Sequence, residues 1–332
     1  MKRFLFIPLL ICLSLLSCQT ETVFEQSPAV RTQEQLMEFE EMLKEAPFGW
    51  EMVYFPKVDS LLFINASDVL KSTAVQSEYY GYGGYIYYLD FKDNRKVEIR
   101  TEDIRSNELT NEVGEYAVRL NSSIQLSFTT YTSIHKLINS ELEGVADFLY
   151  LYKDFNNHLV FATANEQDGK RSYITLKPVA TKDQWENDLR EVKKNRELYE
   201  QMKNPQIRLK IGGRTIYQSD VRLTSSELKQ ERERKRYHLF LYELQEYGGV
   251  IHKGYNALGS GYVPTPEGIS FRPGFYHSSK VIFRDFKREG KTFVSELVSV
   301  YNPLLRKFQN ESKHLYPDGE VTNYVAEIYD AE

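Results

Sequence analysis

Large apolar residues that alternate with a period of two constrain the fold of this chain more than any other pattern. The chain contains 24 tyrosines and 19 phenylalanines, and in the run 85–91 every second residue is Tyr, Leu or Phe. Successive side chains of a β-strand point to opposite faces, so this spacing predicts a strand with one buried face. Aromatic side chains also suit the half-buried surface of a sheet. The pattern therefore predicts a mainly β protein with minor helices.

Short alternating runs recur along the chain and are separated by turn residues. In the first half, they predict strands at 50–54, 85–91, 97–99, 114–120, 124–128, 148–152, 159–163 and 173–176. In the second half, they predict strands at 207–211, 215–218, 237–244, 261–263, 269–271, 280–286, 293–300 and 324–329. Many short strands with turns between them favour antiparallel pairing. We therefore expect two antiparallel β lobes of the meander or half-barrel type, at residues 32–180 and 205–332.

A charged segment at 181–204 interrupts the β pattern. Its apolar residues lie at helical spacing: Trp185, Leu189, Val192 and Tyr199. Such a stripe predicts a long amphipathic helix, which ends ahead of Pro205 and connects the two lobes. The stripe serves either to dock a partner or to pack on the protein's own sheet, and we expect the second.

A shorter helix is expected near the N-terminus. Thr32 and Gln35 form a capping box, and apolar residues follow at helical spacing up to Leu43. Pro47 lies just beyond the last of them. The sequence therefore predicts a helix that begins at Thr32 and ends before Pro47.

The first eighteen residues indicate export. Lys2 and Arg3 precede an apolar run at 4–16, which is shorter than the ~20 residues that a membrane-spanning helix needs. The run closes on Leu15-Leu16-Ser17-Cys18, which resembles a bacterial lipobox. We therefore predict a lipoprotein signal peptide at 1–17, lipidation of Cys18, and a lipidated tether at 18–31. The alternative is an ordinary secretory signal with an incidental cysteine.

Composition excludes several classes of function. The chain has a formal net charge of −5, which argues against a nucleic-acid partner. Its only cysteines are Cys12 and Cys18, so a processed lipoprotein would keep no free thiol for a disulfide, a metal site or a nucleophile. No histidine pair has the spacing of metal ligands on one helix face. We predict no structural metal and no cofactor.

Recognisable catalytic motifs are missing from the sequence. It contains no HExxH, GxSxG, GxxxxGK[ST] or helix-opening GxGxxG pattern. Asp154 and Asn156 resemble a fragment of a calcium loop without its central glycine and terminal glutamate, and we interpret them as turn residues. Because a carboxylate pair can come from distant strands, a hydrolase with dispersed carboxylates stays open.

One cluster of tyrosines is a candidate binding site. Tyr79, Tyr80 and Tyr82 lie in the run YYGYGGY, whose glycines would loosen the loop and expose the rings. Exposed aromatic rings stack well on sugar faces. The alternative is that the rings line a core where a strand begins.

Three stretches together are similar to a known family. They are APFGW with YFP at 46–56, LSFTTY with His135 at 126–135, and VPTPEGISF at 263–271. With the lipobox, the chain from about residue 33 to about 290 resembles the Bacteroidetes lipoproteins of the family called domain of unknown function 4302. The resemblance implies a place in the outer membrane, near uptake systems for nutrients.

Two hypotheses of different kinds follow. The first is a non-catalytic cell-surface lipoprotein that binds a glycan, a peptide or an outer-membrane uptake protein. The second is a hydrolase with dispersed carboxylates, and a purely structural scaffold is a third alternative. We lean towards binding without catalysis.

Overall fold

The computed structural model describes residues 27–56, 63–65, 83–103, 108–138, 142–165, 171–223, 238–247, 250–277, 281–303 and 305–331. Within these residues the chain forms two α-helices and eighteen β-strands. The strands pair in antiparallel fashion in two separate sheets. The alternating pattern therefore predicted the mainly β, antiparallel fold correctly.

The first sheet is a closed barrel of eight strands. They are β1 (Trp50–Tyr54), β3 (Tyr85–Lys92), β4 (Lys96–Glu102), β5 (Leu109–Leu120), β6 (Ile124–Phe128), β7 (Asp147–Lys153), β8 (Leu159–Thr163) and β9 (Tyr173–Pro178). Each strand pairs with the next one in this order, and β9 pairs back on β1 through Trp50↔Pro178 to Val53↔Thr175. We call this sheet the first barrel. Closure leaves it without the free edges of a half-barrel.

Alternation decides which side chains fill the first barrel. Trp50, Met52 and Tyr54 of β1 are buried in its core, as the period of two predicts. β3 is different, because its other face is buried as well: Ile86 and Tyr88 pack against the second helix. This strand lies between the barrel interior and the rest of the molecule.

Helix α1 (Pro28–Lys44) adds to the core of the first barrel. Phe39 and Leu43 are buried there, and the Leu43 carbonyl accepts a hydrogen bond of 2.7 Å from Trp50 Nε1. The helix begins four residues earlier than predicted. Ser27 is its N-cap, with Pro28 in the first turn, so Thr32 lies inside the helix.

The second sheet contains ten strands. They are β2 (Phe63–Asn65), β10 (Pro205–Ile211), β11 (Arg214–Leu223), β12 (His238–Tyr247), β13 (Val250–Pro264), β14 (Gly268–Tyr276), β15 (Ile282–Glu289), β16 (Thr292–Asn302), β17 (Lys307–Ser312) and β18 (Glu320–Asp330). Their order is β12-β11-β10-β18-β16-β15-β14-β13-β2, with β17 on β16. Gly212 and Gly213, both at positive φ, form the predicted turn between β10 and β11.

An additional ladder joins β12, at one end of this path, to β13, the last strand before β2. Residues 238–247 of β12 pair with residues 250–261 of β13, so eight strands form a continuous ring of ladders. We call it the second ring. Its core contains buried aromatic residues from three strands: Phe271, Phe283, Phe286 and Phe293. β2 comes from the first half of the chain and pairs with Asn256–Leu258 of β13.

Helix α2 (Gln184–Glu200) is shorter than the predicted 181–204 segment and contacts both sheets. Leu189 and Val192 pack on the outer face of β3, whereas Tyr199 is buried in the core of the second ring. Arg196 pairs with Glu102 of the first barrel. No described helix has the length and apolar character needed to cross a membrane.

Candidate functional site

Aromatic side chains fill the cores of both sheets. In the first barrel, the Tyr54 and Phe148 rings lie 5.3 Å apart between their centroids. In the second ring, Phe271 lies 5.3 Å from Phe286 and 4.6 Å from Phe275. Ligand sites are clefts lined by apolar groups with a few polar ones, whereas these rings pack against one another. The polar chemistry of the described chain lies outside the cores.

A layer of buried and half-buried polar side chains lies between the first barrel, α2 and the second ring. We define the seam by Glu51, Tyr88, Lys177, Asp188 and Asp285. The Lys177 Nζ atom lies 3.4 Å from Glu51 Oε1, and the Tyr88 hydroxyl donates to Asp188 Oδ2 at 3.0 Å. Alternation explains why Glu51 and Lys177 are together. The residues on either side of each of them in the strand, such as Met52 and Leu176, face the barrel core, so residues 51 and 177 face outwards.

Electrostatics keep Lys177 charged. Burial raises the pKa of Glu51, and Lys177 opposes that rise. For Lys177, burial alone would lower the pKa, but the carboxylates of Glu51, Glu267 and Asp285 outweigh it and raise the pKa above its usual range. A permanently protonated lysine cannot act as a nucleophile or a base. The pair therefore has the chemistry of a structural ion pair.

Asp285 is the second charged centre of the seam. It accepts a 2.6 Å hydrogen bond from Ser270 Oγ and pairs with Arg272 at 3.2 Å. Burial alone would raise the pKa of Asp285, but Arg272 and Ser270 outweigh it and lower the pKa. A carboxylate with a lowered pKa is a weak base, and the Ser270 hydroxyl that it holds is buried. This arrangement does not provide an activated nucleophile.

A small crevice of about 10 Å³, room for about one water molecule, lies where α2 meets β3 and β13. It is lined by Gly84, Tyr85, Ile86, Thr101, Glu102, Val192, Val263 and Pro264. Its carboxylate is already paired, because Arg196 contacts both oxygens of Glu102 at 2.6 and 3.1 Å. The Thr101 hydroxyl donates to the Ile86 carbonyl at 2.6 Å. The polar side chains of the crevice therefore hold the fold together.

The predicted site residues lie outside the described part of the chain. They are Cys18, Tyr79, Tyr80 and Tyr82. The next two residues are described: Gly83 has a φ of +81°, and the Gly84 N–H donates to the Tyr262 carbonyl at 3.2 Å. A Cβ at Gly261 would lie 2.7 Å from the Gly83 nitrogen, so glycine is required for this approach. The chain that leaves the tyrosine cluster is thus held against β13.

Some aromatic residues that the sequence did not indicate as a site are exposed. Tyr131 is 73 % exposed, and its ring centroid lies 5.9 Å from that of His135. Tyr131 ends the LSFTTY stretch and lies three residues beyond the end of β6. Two threonines separate it from the strand, and such a polar spacer is the sequence signal for its exposure.

The turn at Asp154 was interpreted correctly. The Asp154 carboxylate accepts backbone N–H bonds from Asn156 at 2.8 Å and His158 at 2.9 Å, as a turn residue does. His158 Nδ1 lies 3.1 Å from the same carboxyl group. In the described ranges, no group of three or more His, Cys, Asp or Glu residues could hold a metal ion. The absence of a structural metal stays a prediction for the whole chain.

Comparison with known proteins gives one match. The model of the family described as "Domain of unknown function (DUF4302)" matches residues 20–290. No curated protein and no solved structure matches the chain.

Proposed function

The chain belongs to the DUF4302 family, and we propose that it is an exported outer-membrane lipoprotein that binds its ligand or partner without chemical turnover. Cys18 carries the lipid anchor, and the folded part faces the periplasm or the cell surface. Its role is that of an accessory component in the uptake of a nutrient, either a glycan or a peptide. The apolar segment at 4–16 and the cysteine that follows it support the anchoring.

One observation carries the proposal of binding without catalysis: each charged group of the seam already has a partner within the protein. Lys177 is held in its charged form, and Asp285 is occupied by Arg272 and Ser270. An active site needs a group with a pKa tuned to its task and free to reach a substrate. The seam carboxylates with a raised pKa are already bonded, Glu51 by Lys177 and Asp188 by Tyr88, so we assign recognition to outer surfaces.

Helix α2 acts in this proposal as the bridge between the two lobes. Its middle packs on β3, while Asn195 Nδ2 donates to the Thr265 carbonyl of the second ring at 2.8 Å. Tyr199 enters the core of that ring. A rigid bridge holds the surfaces of both lobes in one arrangement, which reduces the entropy lost on binding.

The tyrosine cluster is the proposed binding surface. Tyr79, Tyr80 and Tyr82 directly precede Gly83 and Gly84, and the latter is bonded to β13. That attachment holds Gly83 and Gly84, the described residues that follow the cluster, against β13. Tyrosine rings offer apolar faces for stacking and hydroxyls for hydrogen bonds, which suits a sugar or a peptide.

Fractionation of cells tests the anchor. We expect wild-type protein in the outer membrane and the Cys18→Ser variant released from membranes, because stable anchoring needs acyl chains. The control variant Cys12→Ser changes the other cysteine, within the signal, and should fractionate as wild type. Retention of Cys18→Ser in the outer membrane would reject lipidation as the anchor.

Titration of the purified chain against a panel of glycans and peptides tests the binding surface. The triple variant Tyr79→Ala/Tyr80→Ala/Tyr82→Ala should lose binding and keep its melting temperature. The matched control Tyr131→Ala/Tyr173→Ala removes two exposed tyrosines elsewhere and should bind normally. Unfolding of the triple variant would instead mean that these rings form a core.

Two other outcomes would favour the alternative functions. Hydrolysis of a glycan or peptide that disappears on changing one carboxylate would make the protein a hydrolase. An absence of any ligand or partner would favour a scaffold.

A further inference from the structure

The hairpin of β16 and β17 carries an exposed apolar cluster at its turn. We define the hairpin tip by Tyr301, Leu305, Arg306, Lys307 and Phe308. The apolar members are 47 % (Tyr301), 52 % (Leu305) and 67 % (Phe308) exposed. Tyr301 and Phe308 are cross-strand partners, and their ring centroids lie 5.5 Å apart. The tip therefore presents to solvent a pair of contacting rings and a leucine nearby in sequence.

Asn302 holds Leu305 and Gln309 on the two sides of the tip's described residues. The side chain of Asn302 accepts the Leu305 N–H at 3.0 Å and donates to Gln309 at 3.1 Å, and Asn302 itself is buried. These bonds close the turn that carries Leu305. Because the exposed side chains are already positioned, little conformational entropy is lost when the tip meets a partner.

The charge of the tip differs from that of the chain. Residues 301–308 contain Arg306 and Lys307 and no acidic residue, whereas the whole chain has a formal net charge of −5. Both cations are exposed, and neither forms an ion pair with another described residue. Two free cations beside exposed apolar side chains complement a surface that is anionic on the outside and apolar underneath.

We propose that the hairpin tip binds the surface of an anionic lipid bilayer. Leu305, in the turn, enters the boundary of the acyl chains. Tyr301 and Phe308 lie behind it at the level of the headgroups, where amphipathic aromatic rings are favoured. Arg306 and Lys307 bind the lipid phosphates. This contact goes beyond the proposed function, because it needs neither the acyl chains on Cys18 nor the tyrosine cluster.

Flotation with lipid vesicles tests the proposal. The protein begins at Gln19, which keeps every described residue and removes Cys18 and the apolar segment 4–16, since both bind lipid by themselves. Vesicles contain phosphatidylglycerol mixed with phosphatidylethanolamine, or phosphatidylcholine alone. We expect binding to the anionic vesicles, and the charge variant Arg306→Asn/Lys307→Gln should lose about 30-fold, because each cation near such a surface contributes roughly fivefold. Asparagine suits the positive φ at residue 306.

The apolar variant Leu305→Ser/Phe308→Ser should weaken vesicle binding by about tenfold or more. The matched control Val113→Ser/Tyr173→Ser removes two equally exposed side chains of the first barrel, and should bind within about twofold of wild type. Equal binding by wild type and both tip variants would overturn the proposal, as would no binding of wild type to anionic vesicles. Capture of a membrane protein that depends on the tip, without vesicle binding, would identify a protein partner and also overturn it.

Discussion

The two sheets use the same number of strands in their rings but differ in where the strands come from. Apart from closure by β1 and β9 and the β1–β3 pair, which skips β2, the first barrel pairs strands that follow one another along the described chain. The second ring pairs β10 with β18, the first and last strands of residues 205–332. In addition, β2 from the first half of the chain pairs with β13. The core of the second ring also takes Tyr199 from α2. The first barrel is thus built from its own segment, whereas the second ring is completed by parts supplied from outside it.

The contact between the sheets differs from both cores. The cores contain packed aromatic rings, whereas α2 joins the two sheets through ion pairs, with Arg196 contacting Glu102 of the first barrel and Glu191 contacting Arg288 of the second ring. Buried ion pairs stabilise little relative to apolar packing, yet losing one partner is costly. We therefore expect the lobes to depend on each other through a few specific pairs.

Separate expression of the two halves tests this comparison most severely. We expect residues 19–204 to fold cooperatively, because they contain every strand of the first barrel with α1 and α2. Residues 205–332 should remain unfolded, since they lack Tyr199 and β2. Near-ultraviolet circular dichroism and thermal melting measure both outcomes. A folded 205–332 fragment would contradict the dependence of the second ring on the first half.

The next largest expected effect is on the free energy of unfolding, from the buried pair of Arg196 and Glu102. Arg196→Met should lower the free energy of unfolding by about 3–5 kcal/mol, because it leaves Glu102 buried without its partner. The double variant Arg196→Met/Glu102→Leu should recover most of that loss, since an apolar pair of similar volume is tolerated there. Chemical denaturation of the wild type, both single variants and the double variant measures the coupling. Additive losses would mean that the pair does not link α2 to the first barrel.

Substitution of Tyr199 affects the second ring more specifically. Tyr199→Ala should cost about 3 kcal/mol, in the range for removing a large buried aromatic side chain. Its ring contacts Tyr262 at 5.1 Å and Phe293 at 6.0 Å. Tyr199→Phe is the matched control, and it should be neutral within about 0.5 kcal/mol, because the buried hydroxyl has no hydrogen-bond partner among the described residues. If denaturation has two transitions, only the one assigned to the second ring should shift.

The smallest expected effect is the dependence of stability on pH, which involves His314. Burial lowers the pKa of His314 below its ordinary value of 6.5, although Asp285 and Glu267 oppose this. The unfolded chain therefore takes up the proton at a higher pH than the folded one. The stabilisation is fully present above pH 6.5 and is lost as the pH falls from there through the folded pKa.

Denaturation at a series of pH values checks this expectation. His314→Gln should flatten the loss of stability below pH 6.5. His277→Gln changes an exposed histidine just after β14 and is the matched control for the substitution itself. A wild-type stability that rises on acidification through this range would give the wrong sign and reject the assignment.

Local elements were predictable to different degrees. The bounds of β1, β6 and β8 agree with those predicted at 50–54, 124–128 and 159–163, because alternating apolar residues and nearby turns define them. β17 was missed because Lys307–Ser312 has one apolar residue and no alternation. Its pairing with β16, not its own composition, makes it a strand.

The candidate site was much less predictable than the strands. Lys177 and Glu51 are 126 residues apart, and Arg196 and Glu102 are 94 residues apart. No local pattern links residues at such distances, so neither pair could be predicted before the strands were assembled. Lipidation of Cys18 and binding by Tyr79, Tyr80 and Tyr82 stay predictions, because these residues lie outside the described ranges.

The sequence by itself determined the β character of both halves, the two helical stripes and the positions of most turns. Those features depend on side chains a few residues apart, whose spacing matches the period of a strand or a helix. Only the tertiary structure decided that β9 returns to β1, that β12 meets β13, and that β3 is buried on both faces. Ring closure and burial on a second face depend on contacts between distant segments, and their free energy appears only when those segments pack together.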